Sequence, residues 1–183
     1  MIWNLPNILT LSRFVIAALF LYYAVHEDWR IALWLFASGA LTDMIDGTIA
    51  RLFKQKTAMW ALLDPMADKI LMFSGFMILA FKGGMPVWLT GLVVLRDLMI
   101  TFGILFFYLR GTAIPYEPTW LSKVTTLSQI LTLSLALAAL AYQTGDLVYG
   151  YDRLLAGVLT LMTLFQYLFR GLNILKESNA RLL

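Results

Sequence analysis

Apolar residues in this chain fall into six long stretches, each ended by charged residues, proline or glycine. A helix needs about 20 predominantly apolar residues to cross the hydrocarbon core of a bilayer. Tryptophan or tyrosine lies close to many of the ends, as is typical of a membrane interface. The pattern predicts an all-α, polytopic membrane protein with six transmembrane helices, over Asn7 to Val25, Ile31 to Leu52, Trp60 to Phe81, Met85 to Leu109, Trp120 to Gln143 and Tyr151 to Leu175.

The composition also indicates a membrane protein. Of the 183 residues, 61% are apolar and only 14% are charged, and the mean hydropathy is +0.78. Soluble domains carry about 25% charged residues, so this chain has too little polar surface to cover a water-facing globule. The length accommodates six spans with short loops, and we predict a single membrane domain over residues 1–183.

The distribution of charge predicts an orientation and excludes several functions. The chain has no cysteine, which excludes disulfides, thiol catalysis and thiolate metal sites. Its net charge of +3 comes without a basic run, so we predict no nucleic-acid partner. By the positive-inside rule, the termini and the Arg51 to Lys56 loop are expected to face the cytoplasm. The cations on that side are Arg51, Lys54, Lys56, Arg110, Lys123, Arg170, Lys176 and Arg181, against Arg30, Lys82 and Arg153 on the other.

Four aspartates lie at the ends of two consecutive predicted spans. Asp43 and Asp46 are three residues apart in the second span, and Asp64 and Asp68 are four apart in the third. Helical neighbours at these spacings share a face. Each carboxylate in hydrocarbon costs about 2.5 to 3.5 kcal/mol, so a cluster implies a cation or a polar cavity. If the short loop folds the spans antiparallel, the four carboxylates converge.

Such a cluster suits hard divalent cations. Oxygen ligands without nearby cysteine or histidine select ions such as Mg²⁺, and four carboxylates could hold two of them, an arrangement used in phosphoryl transfer. Gly47 and Ala50 lie on nearly the same face as Asp43 and leave room for a ligand. Arg51 follows directly and suits a phosphate. We therefore predict a polar metal-binding cavity on the cytoplasmic side.

Two other interpretations fit parts of this pattern. In a purely structural one, Asp64 is the N-cap of a helix that begins at Pro65, and Arg51 belongs to a positive-inside loop. In the other, the aspartates of a cation transporter or channel bind ions in transit. The transporter accounts for the carboxylates but not for the spacing of Gly47, Ala50 and Arg51.

The spacing resembles the signature of the CDP-alcohol phosphatidyltransferase family, D-x-x-D-G-x-x-A-R, eight or nine residues, then G-x-x-x-D-x-x-x-D. The opening N-L-P-N-I-L-T-L-S-R and the six-span length extend the resemblance over nearly the whole chain. The second signature glycine is replaced by Trp60, which raises the alternative of a catalytically impaired relative that binds nucleotide-lipid. The matching positions are Asp43, Asp46, Gly47, Ala50, Arg51, Asp64 and Asp68.

The resemblance implies a reaction and a set of roles. Asp43, Asp46 and Asp64 would coordinate two divalent ions, Mg²⁺ or Mn²⁺, on the pyrophosphate of CDP-diacylglycerol. Asp68 would lie by the second ion and activate an acceptor hydroxyl, with release of CMP. The nucleotide would be bordered by Gly47 and Ala50, with Arg51 on its phosphates. Family members usually form homodimers in a bacterial inner or mitochondrial inner membrane, and both properties are expected here on resemblance alone.

The acceptor is predicted to be a glycerol-based lipid precursor. Phosphatidylglycerol would give cardiolipin, and glycerol 3-phosphate would give phosphatidylglycerophosphate. Glycerol-phosphate enzymes of the family usually carry a second arginine eight residues after the first, and here Ile104 stands eight after Arg96. The runs around Arg96 and Lys123 resemble cardiolipin synthases instead. Arg96 could bind the acceptor phosphate or form a structural pair with Asp97, and Lys123 could bind a phosphate or snorkel to the interface.

Overall fold

The structure, a computed structural model, describes the backbone of residues 5–53, 58–110, 119–144 and 150–180. Side chains are described for residues 12–42, 69–107, 109–110, 119–144 and 150–176. The backbone in these ranges forms helices and short connections without a strand, which confirms the all-α prediction. The helices are α1 (Leu5–Val25), α2 (Trp29–Phe53), α3 (Ala58–Phe81), α4 (Val87–Leu109), α5 (Trp120–Tyr142) and α6 (Gly150–Ala180).

Helix ends agree with the apolar stretches to within two residues, except at the end of α6. That helix continues to Ala180, five residues past the predicted Leu175, because Lys176 and Glu177 are polar but favour helix. Three helical segments are long and apolar enough to cross a membrane, within the part of the chain whose side chains are described. They are Val87–Phe107, Trp120–Tyr142 and Gly150–Lys176. The protein is therefore a membrane protein, and the count of six spans stays a prediction.

The helices belong to two compact units, and the first contains α1, α2, α3 and the part of α5 from Leu133 onward. Helix α1 packs against α2 and α3, with the rings of Phe20 and Phe36 fully buried and 6.0 Å apart. A Cβ at Gly75 would lie 2.6 Å from Leu133 Cδ2. The helices of this unit approach closely where the chain carries glycine, as is typical of membrane helices.

Charged side chains join the helices of this unit at one end. An ion pair joins Glu27, after α1, to Lys82, after α3. Arg30 Nε donates to the carbonyl of Ala141 near the end of α5, over 3.3 Å. His26 is exposed in the same connection as Glu27. Because Glu27 follows α1 and Lys82 follows α3, their ion pair places the C-terminal ends of α1 and α3 at the same end of the unit.

The second unit contains α4, the part of α5 up to Thr132, and α6. Buried polar side chains join α5 to α6: Gln129 Nε2 donates to Thr160 Oγ1 over 2.9 Å, and the hydroxyl oxygens of Thr125 and Thr163 lie 2.6 Å apart. These four side chains are at most 2% exposed. Hydrogen bonds between otherwise apolar membrane helices each contribute about 0.6 kcal/mol on average, so this seam holds α5 and α6 in one register.

Gly157 allows α6 to approach Trp88 of α4, and its replacement by alanine is expected to destabilise this unit. A Cβ there would lie 2.6 and 2.8 Å from two ring carbons of Trp88. Overpacking costs about 1 to 3 kcal/mol, and the ring is half exposed and can shift, so we expect the lower figure. A loss of about 1 kcal/mol corresponds to about 2 to 4 °C in the unfolding midpoint, measured in detergent by thermal denaturation.

Gly91 provides the matched control for this prediction. It lies in α4, and a Cβ there would meet no atom within 4 Å. Gly91→Ala should therefore keep the wild-type midpoint or raise it slightly, because alanine favours helix over glycine. Equal midpoints for Gly157→Ala and Gly91→Ala would contradict the packing assigned to Gly157.

Candidate active site

The two aspartate pairs lie within continuous helices. Asp43 and Asp46 belong to α2, and Asp64 and Asp68 belong to α3. Helix α3 begins at Ala58, so Asp64 lies inside the helix and is not its N-cap, contrary to the purely structural interpretation. The two residues of each pair therefore lie on one face of their helix, as predicted from the spacing. The convergence of the four carboxylates stays a prediction. The side chains of this cluster lie outside the described residues, as do those of Gly47, Ala50, Arg51 and Trp60.

The chemistry of the available donors fits a hard divalent cation. The single histidine, His26, precedes α2, whereas Asp43 lies about 21 Å along the helix axis from Trp29 at 1.5 Å per residue. Among the residues with described side chains, no three acidic or histidine side chains are arranged so that they could hold a metal ion. With no cysteine in the sequence, a metal at the aspartates would have oxygen ligands, as Mg²⁺ and Mn²⁺ prefer.

Arg96 is held at two points in the middle of α4. Its Nη1 donates to Asp97 Oδ1 over 2.6 Å, and its Nη2 donates to Ser122 Oγ of α5 over 2.7 Å. The Arg96 side chain is 7% exposed, and Nε is buried without a hydrogen-bond partner. The ion pair expected of a structural couple is present. Because a guanidinium has five N–H donors, three are left, and a phosphate could still be bound.

The first turn of α5 carries Ser122 beside Lys123. Thr119 caps this helix, since its Oγ1 accepts from the backbone N–H of Ser122 over 3.1 Å. The Thr119 hydroxyl also donates to Gln166 Oε1 of α6 over 2.9 Å. Lys123 is exposed, and its Nζ lies 5.4 Å from the centre of the Trp120 ring. Arg96 therefore bonds the residue that directly precedes Lys123 in α5, while the Lys123 side chain itself is exposed and lies over Trp120.

Sequence reasoning missed Ser122, Thr119 and Gln166. A threonine directly before an apolar run is a recognisable N-cap signal, and it could have located the start of α5. The pairing of Ser122 with Arg96 leaves no such signal, because the two residues are 26 positions apart and belong to different helices.

The chain belongs to the CDP-alcohol phosphatidyltransferase family, whose model matches residues 3–169. Members of this family act on CDP-alcohols and lipids in membranes and generally use divalent metal ions. The chain is 34% identical to human cardiolipin synthase (CMP-forming) over 165 residues, which are 80% of this chain and 54% of the human protein. It is 37% identical to a probable cardiolipin synthase (CMP-forming) of Drosophila melanogaster over 155 residues, 75% and 48% of the two chains.

A second group of relatives carries a different name. A probable phosphatidylglycerophosphate synthase of Mycobacterium tuberculosis is 35% identical over 178 residues, 93% of this chain and 82% of that protein. The chain spans about half the length of the animal cardiolipin synthases it matches. Both names denote phosphotransferases of this family. The resemblance drawn from the aspartate signature is confirmed, and the match favours a phosphatidyltransferase over a cation transporter.

Proposed function

We propose that this protein transfers the phosphatidyl group of CDP-diacylglycerol to a glycerol-based acceptor and releases CMP, as a step of anionic phospholipid biosynthesis. The observation that carries this proposal is the family match over residues 3–169, which includes all four aspartates. Relatives named for the synthesis of cardiolipin and of phosphatidylglycerophosphate support the same reaction class. We favour phosphatidylglycerol as the acceptor, with glycerol 3-phosphate as the second candidate.

In this proposal the four aspartates have two roles, binding of divalent ions and acceptance of the proton of the acceptor hydroxyl. Asp43, Asp46 and Asp64 would hold two divalent ions, Mg²⁺ or Mn²⁺, and Asp68 would also border the second ion. When bound, such ions neutralise charge on the diphosphate of the donor. Asp68 accepts the proton of the acceptor hydroxyl, whose oxygen then forms a bond to the phosphorus that carries diacylglycerol. The bond from that phosphorus to CMP breaks, and CMP leaves with the electron pair.

The residues between the aspartates would hold the donor. Gly47 and Ala50 lack bulk and would leave space for the cytidine nucleotide, and Arg51 would donate to its phosphates as a planar fork. Trp60 stands where the family signature has its second glycine. We propose that the active site accommodates this ring, since the remaining signature spacing is intact.

The charge around Arg96 favours phosphatidylglycerol. The ion pair with Asp97 leaves the couple with no net charge, and Ile104 replaces the second arginine expected of a glycerol-phosphate enzyme. Lys123 would supply one positive charge for the acceptor phosphate. A phosphodiester carries one negative charge and is balanced by one cation, whereas the phosphate of glycerol 3-phosphate carries close to two at neutral pH.

The proposal also includes the membrane, the orientation and the oligomeric state of the protein. We propose six spans in a membrane of the bacterial inner or mitochondrial inner type, with the termini and the aspartates facing the cytoplasm, and a homodimer as the assembly. The loop cations identified in the sequence support the orientation. The family resemblance supports the homodimer.

The acceptor is tested by incubating purified protein and labelled CDP-diacylglycerol with either phosphatidylglycerol or glycerol 3-phosphate and identifying the lipid product. We expect cardiolipin and CMP from phosphatidylglycerol, and at most about a tenth of that kcat/KM with glycerol 3-phosphate, as one unbalanced charge costs about 1.4 kcal/mol or more. Faster reaction with glycerol 3-phosphate would overturn the acceptor assignment. Cation flux into vesicles without CMP release would overturn the reaction class.

A further inference from the structure

The side chain of Ser122 is one of two groups that fix the guanidinium of Arg96. Asp97, the chain neighbour of Arg96, accepts from Nη1 over 2.6 Å, and Ser122, from another helix, accepts from Nη2 over 2.7 Å. Arg96 and Ser122 are 6% and 7% exposed. A planar guanidinium bonded at two nitrogens cannot turn about its own axis, so Ser122 determines where the remaining N–H groups point.

Ser122 is itself held by the start of α5. Its backbone N–H donates to Thr119 Oγ1, and the Thr119 hydroxyl donates to Gln166 of α6. Its carbonyl accepts from Thr126 Oγ1 over 3.0 Å. The Ser122 hydroxyl is therefore placed by two helices and contacts a third, α4, through Arg96.

The neutrality of Ser122 matters as much as its position. With Asp97 the arginine is already paired, so a second carboxylate would leave the group with a net negative charge. A hydroxyl accepts the same hydrogen bond and adds no charge. The arrangement thus keeps the guanidinium in place without reducing its attraction for an anion.

We propose that Ser122 is a positioning residue for phosphatidyl transfer: it orients Arg96 toward the phosphate of the acceptor, with Thr119 and Gln166 fixing the start of α5. This inference rests on the proposed acceptor role of Arg96. If Ser122 is absent, Nη2 loses its acceptor and the guanidinium is free to turn its N–H groups onto Asp97. Binding of the acceptor phosphate then weakens, while binding of CDP-diacylglycerol does not.

The experiment compares Ser122→Ala with Thr125→Val by steady-state kinetics, varying phosphatidylglycerol at saturating CDP-diacylglycerol and the reverse. Thr125 is a buried hydroxyl in the same helix that bonds α6 and not Arg96, so its loss reports a purely structural effect. We expect Ser122→Ala to raise the acceptor KM about tenfold, as for a hydrogen bond to a charged group, with the donor KM unchanged. Ser122→Thr should restore the wild-type value, and Thr125→Val should change neither KM.

Ser122→Asp distinguishes a role in orienting Arg96 from a purely structural role in joining α5 to α4. It also keeps the proposal testable if the alanine variant does not fold. A carboxylate would bond Arg96 more strongly and is favourable in the first turn of a helix. A structural role therefore predicts full activity for Ser122→Asp. The positioning role predicts an acceptor KM at least as high as in Ser122→Ala, because the added negative charge repels the phosphate.

Arg96→Ala distinguishes the failure of this inference from that of the proposed function. If Ser122 acts through Arg96, then adding Ser122→Ala to Arg96→Ala has no further effect on the acceptor KM. An unchanged acceptor KM in Arg96→Ala would overturn the acceptor role itself. A raised KM in Arg96→Ala with a wild-type KM in Ser122→Ala, or equal rises in both donor and acceptor KM for Ser122→Ala, would overturn the positioning role alone.

Discussion

Replacing Asp68 by asparagine is expected to abolish phosphatidyl transfer and to leave binding of CDP-diacylglycerol largely intact. Asparagine keeps the size of the side chain but cannot accept the proton of the acceptor hydroxyl. A positioned general base contributes about 10² to 10⁴ in rate, so the rate of CMP release should fall at least a hundredfold. Donor binding, measured by equilibrium binding of labelled CDP-diacylglycerol, should change little, because the other three aspartates are still present.

Asp28→Asn is the matched control for this change. Asp28 is an exposed carboxylate directly before α2, at the end of that helix opposite Asp43 and Asp46. The same chemical change there should leave transfer at the wild-type rate. Full activity of Asp68→Asn, with the control also active, would defeat the role assigned to Asp68.

Removal of divalent cations is expected to have a comparably large effect. After dialysis against EDTA, transfer should fall to background, and added Mg²⁺ or Mn²⁺ should restore it. The reason is that a diphosphate facing carboxylates is repelled unless cations lie between them. The measurement is the rate of CMP release as a function of free metal concentration.

Asp43→Asn refines this prediction. With one ligand charge removed, the free metal concentration for half-maximal rate should rise at least tenfold, if one carboxylate contributes about 1.4 kcal/mol or more to binding of the ion. Asp28→Asn should leave that concentration unchanged. An enzyme that stays active in metal-free buffer would contradict the assignment of the aspartates as metal ligands.

Relatives named for two different products make the acceptor the main question about this chain. Arg96 bears on it directly, because its partner Asp97 cancels its charge while Ser122 fixes its orientation. Recognition of the acceptor phosphate in this proposal has two parts, the net charge of the site and the direction of the Arg96 N–H groups. The product test probes the first part, and the Ser122 variants probe the second.

The sequence by itself determined the helices and the class of chemistry. An apolar stretch must be long enough to cross hydrocarbon, and the polar residues that end it predict where the helix begins and ends. Eleven of the twelve helix ends in the described backbone lie within two residues of the prediction. The end of α6 differs because helix propensity continues after hydrophobicity ends. The aspartate signature identified the family, since carboxylates are too costly in a membrane span to occur at such spacing without a function.

Only the tertiary structure decided which distant residues meet. Ser122 accepts a hydrogen bond from Arg96, and Gln166 accepts one from Thr119. Gly157 lies against the ring of Trp88, where a Cβ would be too close. Hydrophobic periodicity shows that a helix has a buried side, but many rotations and registers of its neighbour would cover that side equally well. The partner of a buried polar group follows from the one register in which its hydrogen bonds are satisfied, and that register is a property of the packed helices.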